Sequence, residues 1–574
     1  MPSQAWNAND FLGLTPGIDP RRSDKFFALN GRNFVFDSKG PRSDFGNRYL
    51  TPYPLGTPAH SQGFRLKLYS GDRTFTLTSD SILEWDESQG GWKVVWFTGS
   101  TQGQPFRWTR AYLNGVLYVC HPATGILMLD VTSGVFGKLN VPGMPNAPTA
   151  ICQTNGRLCA IDESFFYFSA TSDGKDWIPR LGGAGVQRIS DRVSGYPIMV
   201  TDFAGGAMVW TTGGVMRCEF TGDVSVFRFR ALDTDLRPVN SFCSVKIDNE
   251  TVLILDERGL FQSKGDRPEP FSPLFNEFLS QYIQQYNLKE GQNLRIEWDE
   301  LQRRLYVSVS LSVANPLYEM AFVLYPAVDK WGQFSEAHYG ILPIRIGSGS
   351  RKDDCYGFVD STGRTRYWNQ LGSREVLPTS QFLNSVYPVI QKPTQRSTVD
   401  GGWTASSSAV ASPIPRGATS GFAGYFRVGG GFNAPALLGG LSASIQLGLL
   451  RFDLNESTDQ LTEVTQLALG NIVEGDATEL SQGFSLSPLL PSEYVGIEEP
   501  NFVNCGIRVI STRDGKSVSD SATPYLEEAQ RGMRYYSLTT QGVWHILELT
   551  ANQPGEAFRL GAIGLTAIYA GKIA

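Results

Sequence analysis

Four histidines, seven cysteines and a few paired acids are the residues that could do chemistry in this chain of 574 residues. The histidines are His60, His121, His338 and His545. None lies within four residues of another, and only Cys120-His121 joins a histidine to a cysteine. Zinc needs clustered ligands at set spacings, so the pattern argues for structural histidines. The cysteines Cys120, Cys152, Cys159, Cys218, Cys243, Cys355 and Cys505 are scattered, odd in number, and never spaced as CxxC. That reads as reduced, buried thiols in a protein assembled in a cytoplasm. Asp453-x-Asn455-x-Ser457-x-Asp459 imitates the start of a calcium loop, but Thr458 replaces the turn glycine and Val464 the closing glutamate. The acids Asp353-Asp354 and Glu498-Glu499 invite a glycosidase reading. Adjacent acids on an extended backbone point apart, whereas glycoside cleavage needs two carboxyls facing across the substrate. Trp85, Trp92, Trp177 and Trp331 could stack on sugars, although tryptophans beside turns more often close one strand against the next. Nucleophile elbows, HExxH and phosphate loops do not occur. No catalytic, cofactor-binding or metal-ligating residue is therefore assigned, and the expectation is a protein that is not an enzyme.

The elements that would position any such group are strands. Gly 61 and Pro 32 imply many turns, aromatic content is 12% and charged content 18%. This mixture suits tightly turned sheets and excludes coiled coils and disordered chains. The net charge of -6 offers no basic excess for gripping nucleic acid. The start, MPSQAWNANDFLG, has no secretory pattern, and no apolar run is long enough to cross a bilayer.

From residue 64 a loose repeat of about 40 to 50 residues recurs, with units starting near 64, 107, 147, 196, 237, 293 and 339. In the second unit Arg107 to Leu113 runs through Asn114-Gly115 into Val116 to Cys120. Asn-Gly between alternating runs marks a type I′ hairpin, because both central residues need positive φ. The period predicts a β-propeller of about six to eight blades, preferred over a stack of sandwiches. Ser272-Pro273 followed by Phe275, Phe278, Leu279, Tyr282, Ile283 and Tyr286 predicts one inserted helix with Ser272 as N-cap, read as a buttress rather than a docking helix. After about 390 charge becomes sparse and strand patterns resume at Gly424–Val428, Ala443–Phe452, Leu461–Leu469, Cys505–Ile510, Val543–Leu549 and Phe558–Tyr569. The resulting all-β plan is an N-terminal arm (1–60), a β-propeller (61–390) and a C-terminal β-rich, sandwich-like domain (391–574).

This order resembles the tail nozzle proteins of short-tailed bacteriophages, also called tail tubular protein B or tail stabilisation proteins. The resemblance spans roughly residues 10–370 and rests on arrangement. It is carried by Gly17-Ile18-Asp19, Asn30-Gly31-Arg32-Asn33 and Gly40-Pro41-Arg42 in the arm. In the propeller it is carried by Phe165 to Ala170 with Asp173 to Trp177, by Met208 to Gly222, by Leu294 to Asp299 and by Phe322 to Trp331. It implies a structural virion protein, a homohexamer forming part of the DNA conduit below the portal and adaptor. Such a protein retains the genome and lets double-stranded DNA pass at ejection. Adaptor (head-to-tail connector) proteins, tail fibres or tailspikes, and a needle would be its partners, in the virion tail assembled in the host cytoplasm. The alternative is a receptor- or glycan-binding propeller such as a phage adhesin, and a third is a propeller hydrolase. Under the nozzle reading, the arm and the strands Phe558–Tyr569 are expected to make the hexamer contacts, so that deleting residues 1–45 leaves a folded chain that no longer joins the tail.

Overall fold

In a computed structural model, the protein is described over residues 3–368, 424–425, 443–451, 460–470, 505–530, 533–551, 560 and 562–572. Within 3–368, the stretches 8–9, 16–25, 38–39, 44–46, 67–71, 87–90, 98–105, 131–134, 190–194, 224, 289–292, 312–315 and 349–350 are excepted. Asp453 to Asp459, Glu498-Glu499 and the Gly/Ser-rich stretch near 400 lie outside the described residues.

Nine sheets form among these residues, and seven are the blades of a β-propeller. Blade 1 begins with Gln62–Leu66, blade 2 with Thr109–Leu113, blade 3 with Ala150–Thr154 and blade 4 with Pro197–Phe203. Blade 5 begins with Ser244–Lys246, blade 6 with Leu294–Asp299 and blade 7 with His338–Ser348. First strands lie against one another between blades 2 and 3, 3 and 4, 5 and 6, and 6 and 7, and blade 7 meets blade 1 in the same way. The hairpin turns follow the expected chemistry. Asn114 and Gly115 have φ of 48° and 81°, and Asn155 and Gly156 have 49° and 68°, the double positive φ that type I′ requires.

The ring is closed by the arm. Blade 7 supplies only His338–Ser348, Arg351–Asp360 and Arg364–Trp368 from its own stretch of chain, and its fourth strand is Asn47–Pro54. Trp368 pairs with Asn47 and Arg364 with Pro54. Side chains reinforce the seam: Arg65 of blade 1 pairs with Asp354 of blade 7, and Arg345 bridges Asp354 and Asp72. Trp92 Nε1 donates to Thr365 Oγ1 at 3.0 Å.

Upstream of that strand the arm divides. Phe34–Asp37 and Gly40–Ser43 extend blade 6. Phe26–Arg32 instead joins a sheet of the C-terminal unit, pairing with Ala443–Leu450. Asn33 separates the two at a φ of 48°, and its Oδ1 accepts from Ser335 N at 2.7 Å. The stretch Arg32–Asp37 is therefore divided between two strands that part into different units at a left-handed asparagine.

The C-terminal unit is a sandwich. One sheet runs Ser3–Asn7, Ala562–Lys572, Gln460–Gly470, Met533–Gly542, Tyr525–Gln530. The other runs Phe11–Leu14, Phe26–Arg32, Ala443–Leu450, Trp544–Ala551, Gly506–Thr512, Val518–Ala522. Leu447, Leu467, Leu547 and Leu565 are at most 1% exposed between the sheets, as expected of inward positions in facing sheets. Gly424–Tyr425, expected in this unit, pairs instead with Lys93 and Val94 at the edge of blade 1.

One hydrophobic cluster runs through both units. It joins Phe11, Phe27, Ile445 and Leu547 to Phe34, Trp331, Leu305 and the inserted helix. Phe11, Phe27, Phe34 and Phe36 are 2% exposed or less, each contributing about 1.5–3 kcal/mol of burial. The arm is thus a set of strands with buried side chains, and the expectation that residues 1–45 can be deleted without unfolding the chain is corrected. The strand expected at Phe558–Tyr569 to make hexamer contacts is described over Ala562–Lys572. Ala562–Lys572 is already hydrogen-bonded on both sides, to Ser3–Asn7 and to Gln460–Gly470.

The helix spans Pro273–Gln285 and buries Phe275, Phe278, Leu279 and Ile283. Phe278 packs edge-on against Phe322 at 4.9 Å, and Phe275 lies 5.6 Å from Trp331. Asn276 Oδ1 accepts from Leu260 N of blade 5 at 2.5 Å, so the helix buttresses blades 5 and 6. Pro273 stands in the first turn as expected, but Ser272 makes no side-chain cap. At a φ of 52°, its hydroxyl turns away and bonds Asp329.

Candidate functional site at the axis of the ring

The first strands carry charged residues at positions that alternation sends inward. In Leu294–Asp299, Arg295 and Glu297 are two residues apart and so share one face of the strand. Their side chains are 1% and 7% exposed and form an ion pair. Arg295 Nη2 donates to Ser61 O at 2.6 Å and Nη1 to Tyr339 O at 3.2 Å. Glu297 accepts from Ile341 N at 3.1 and 3.2 Å. The pair therefore ties blade 6 to blade 7 and to the chain entering blade 1. The Arg295 guanidinium also lies 5.0 Å over the ring of Phe242, a cation–π contact with the approach to blade 5.

Arg107, just before blade 2, reaches the opposite side of the ring. Its backbone N donates to Ser241 Oγ at 2.8 Å and its guanidinium to the carbonyl of Ser244 in blade 5. Blades 2 and 5 touch here across the axis, so the lumen is constricted at this level. Burial pushes the Arg107 pKa down to about 10, and the neighbouring Arg295 acts in the same direction. Further along, Arg110 projects from the first strand of blade 2 over Phe64 of blade 1 at 4.7 Å. Burial lowers its pKa, against the opposing pull of Tyr356, Glu300 and Asp202 in blades 7, 6 and 4. Lys246 of blade 5 pairs with Asp202 of blade 4.

Three histidines sit near this axis. His60 stacks on Phe242 at 5.6 Å, His121 packs on Trp108 at 4.8 Å, and His338 bonds Ser308 Oγ at 2.9 Å. Burial lowers each pKa to about 4, so all three are neutral at pH 7. His545 lies in the sandwich between Thr462 Oγ1 and Ser511 Oγ, both at 2.8 Å, and burial lowers its pKa to about 4 also. The structure does not bring the four together. Among the described residues no group of three or more His, Cys, Asp or Glu is placed to hold a metal. All seven cysteines are free, six of them buried. Cys152 and Cys159 face each other across strands of blade 3, and the hydrogen bond with Cys159, followed by burial, pushes the Cys152 thiol well above its ordinary pKa. Asp354 is engaged in the seam, where the Arg65 and Arg345 contacts outweigh its burial and hold its pKa low. The tryptophans are packing groups: Trp331 and Trp177 are buried, the latter donating to Gly174 O at 2.9 Å, and Trp85 stands edge-on to Trp92 at 5.2 Å.

The axial arrangement does structural chemistry, cross-bracing a ring through one buried ion pair and guanidinium contacts to backbone. Sequence reasoning did not single out Arg107, Arg110, Arg295 or Glu297. The available signal was Arg-x-Glu set inside an otherwise apolar strand.

No family model matches this chain, and no curated protein matches it. Among solved structures it is similar to U3-55K (9% identity, 56% of this chain and 98% of that one, TM-score 0.34). It is similar to the RRP9 WD40 repeats (9% identity, 56% and 97%, TM-score 0.34). A third is the extracellular domain of the hybrid two-component system BT4673 from B. thetaiotaomicron (14% identity, 49% and 37%, TM-score 0.31). No helix among the described residues is long and apolar enough to cross a membrane.

Proposed function

We propose that this protein is a wall subunit of a bacteriophage tail nozzle, a homohexamer that continues the DNA conduit below the portal and adaptor. In this reading it acts in the virion tail after assembly in the host cytoplasm, with adaptor proteins and tail fibres or tailspikes as neighbours. The observation that carries the reading is the way residues 3–54 weld two units into one body. They supply strands to both sandwich sheets, extend blade 6 and close blade 7. A subunit that confines packaged DNA needs that stiffness, whereas a receptor-binding head gains from a hinge to its carrier. A closed ring also keeps strand edges from uncontrolled pairing when copies pack side by side. The resemblance of residues 10–370 to nozzle proteins supports the same conclusion. DNA would pass between the six copies, not through a ring axis. That axis is crossed at Arg107, while the major groove of a duplex alone is about 12 Å wide. The net charge of -6 suits a wall along which DNA slides.

Mass photometry of the purified chain, alone and with its adaptor, tests this. A hexameric ring, formed alone or on the adaptor, is the expected result. A chain that stays monomeric in both conditions and binds host glycans instead would overturn it.

A further inference from the structure

The outer rims of the blades are not alike. Blade 1 is continued past its own outer strand by Gly424–Tyr425, and blade 6 by Phe34–Asp37 and Gly40–Ser43. The outermost strand of blade 7 is Asn47–Pro54. At these three rims an extended segment from a distant part of the chain takes the outer position. Blades 2 to 5 end at Val135–Lys138, Gly185–Arg188, Phe227–Asp233 and Glu269–Pro270, with no further strand among the described residues. Phe227–Asp233 is the longest of these at 7 residues and holds no proline, so two usual guards of a free edge, shortness and proline, are absent.

A groove of about 370 Å³ lies against this edge, lined by Gln187 and Arg188 of blade 3 and by Ser225, Phe227, Arg228 and Phe229 of blade 4. Side chains alternate along a strand, so three consecutive residues share the groove along their main-chain edge. Phe220 N donates to Gly205 O, away from Phe227, its partner across the ladder. Alternation then turns the N–H and C=O groups of Phe227, Phe229 and Ala231 outward. The Phe227 N–H is satisfied by Ser225 O at 2.7 Å, which leaves Phe229 and Ala231 open. On the facing wall Gln187 Nε2 donates to Ser225 O at 2.6 Å, while its buried Oε1 has no donor. Buried acceptors are normally partnered, and a main-chain N–H entering the groove supplies the missing hydrogen.

Charge narrows what can enter. Arg228 and Arg230 are exposed and, two residues apart, share one face of the strand. Glu219, across the ladder from Arg228, is held by Arg217 at 3.3 Å. Asp223, also on the groove wall, is held by the Thr221 hydroxyl and Ser225 N, both at 2.7 Å. Arg230 has Gly265 O at 3.1 Å and the largely exposed Asp266 at 3.4 Å. Opposite charges facing across a ladder stabilise it and like charges weaken it, so an added strand favours Asp or Glu beside these arginines.

We propose that the outer edge of blade 4 is a docking site for an extended acidic segment of a partner protein, added as a fifth strand beside Phe227–Asp233. Main-chain hydrogen bonds to Phe229 and Ala231 supply affinity, and Arg228 and Arg230 supply selectivity. The inference concerns one blade and does not rest on the nozzle reading.

The probe is a fluorescein-labelled Thr-Glu-Val-Glu-Val-Glu-Thr peptide, followed by anisotropy against the full chain. Saturable binding is expected, with the counterpart peptide carrying Lys for Glu roughly tenfold weaker or more. Arg228→Glu is expected to reverse that preference. Ala231→Pro removes one outward N–H at a position where an edge strand tolerates proline, and is expected to weaken binding roughly tenfold. Lys138→Glu, on the bare rim of blade 2, is expected to change nothing. Absence of saturable binding, equal binding of the Lys peptide, or an Ala231→Pro variant that binds like the parent overturns the proposal. So does a chain that binds neither peptide and self-associates through this edge, with Arg228→Glu dissolving the assembly, because the occupant is then a second copy.

Discussion

Replacing Glu297 by Gln should test how the ring is braced. The amide keeps the shape and an oxygen for Ile341 N, which Glu297 now serves at 3.1 Å. It removes the carboxylate that pairs with Arg295, whose side chain is 1% exposed. The guanidinium cannot swing into water without abandoning Ser61 O and Tyr339 O, so its charge remains buried and uncompensated. Breaking a buried pair from one side costs about 3–5 kcal/mol, whereas replacing both partners by apolar groups is often near neutral. With an m-value of roughly 3 kcal/mol/M for a unit of this size, Glu297→Gln should lower the urea midpoint by about 1–1.7 M. The double variant Arg295→Met, Glu297→Leu should recover most of that. Tryptophan fluorescence follows the transition, because Trp92, Trp108 and Trp368 lie in neighbouring blades. If the single variant falls within about 1 kcal/mol of the parent, or the double is worse than the single, the pair is not the brace described here.

Removing residues 1–54 should abolish folding of propeller and sandwich together, since it strips the fourth strand of blade 7, one strand from one sandwich sheet and two from the other; size-exclusion chromatography and limited proteolysis would report aggregate and no resistant core. In Gly332→Ala the new Cβ would lie 2.1 Å from Phe34 O, so it should cost on the order of 3 kcal/mol and remove hydrogen-exchange protection from residues 34–43 before the rest of blade 6. His545 has a folded pKa of about 4 against 6.5 unfolded, so the fold favours its neutral form. Its contribution is complete above pH 6.5 and is lost as pH falls toward 4, by up to about 3 kcal/mol. His545→Gln should flatten the decline in sandwich stability across that window, as read by chemical denaturation at stepped pH.

The blades were legible because their information is local. Alternation and Asn-Gly turns set each hairpin within a few residues, and the unit starts near 64, 107 and 147 fall within three residues of Gln62, Thr109 and Ala150. The arm was not legible in the same way, because the partner of Asn47–Pro54 lies some three hundred residues away and nothing in either run names the other. Met533–Gly542 was missed because Ser537-Leu538-Thr539-Thr540-Gln541 is too polar to show a clean period, although Leu538 and Thr540 face inward. Ser272 was misread because its hydroxyl has a tertiary partner in Asp329 that a local capping rule does not see. The axial cluster was illegible as a site because its members come from different blades, and only closure of the ring makes them neighbours.

The pairing of Ser3 with Thr566 also bears on biosynthesis. At roughly 5–20 residues per second, the ribosome delivers the later strand about half a minute to two minutes after the earlier one. Asn47–Pro54 waits for Trp368 on a shorter clock. Throughout that interval Phe11, Phe27 and Phe34 have no completed site to enter, and the first strands made are loose edges beside other nascent chains. The propeller has its last blade strand once Trp368 is made, whereas the sandwich waits for Ala562–Lys572 to pair with Ser3–Asn7. Fusions or stalls that hold back the final strand should therefore leave the amino-terminal strands exposed to chaperones or to neighbouring copies.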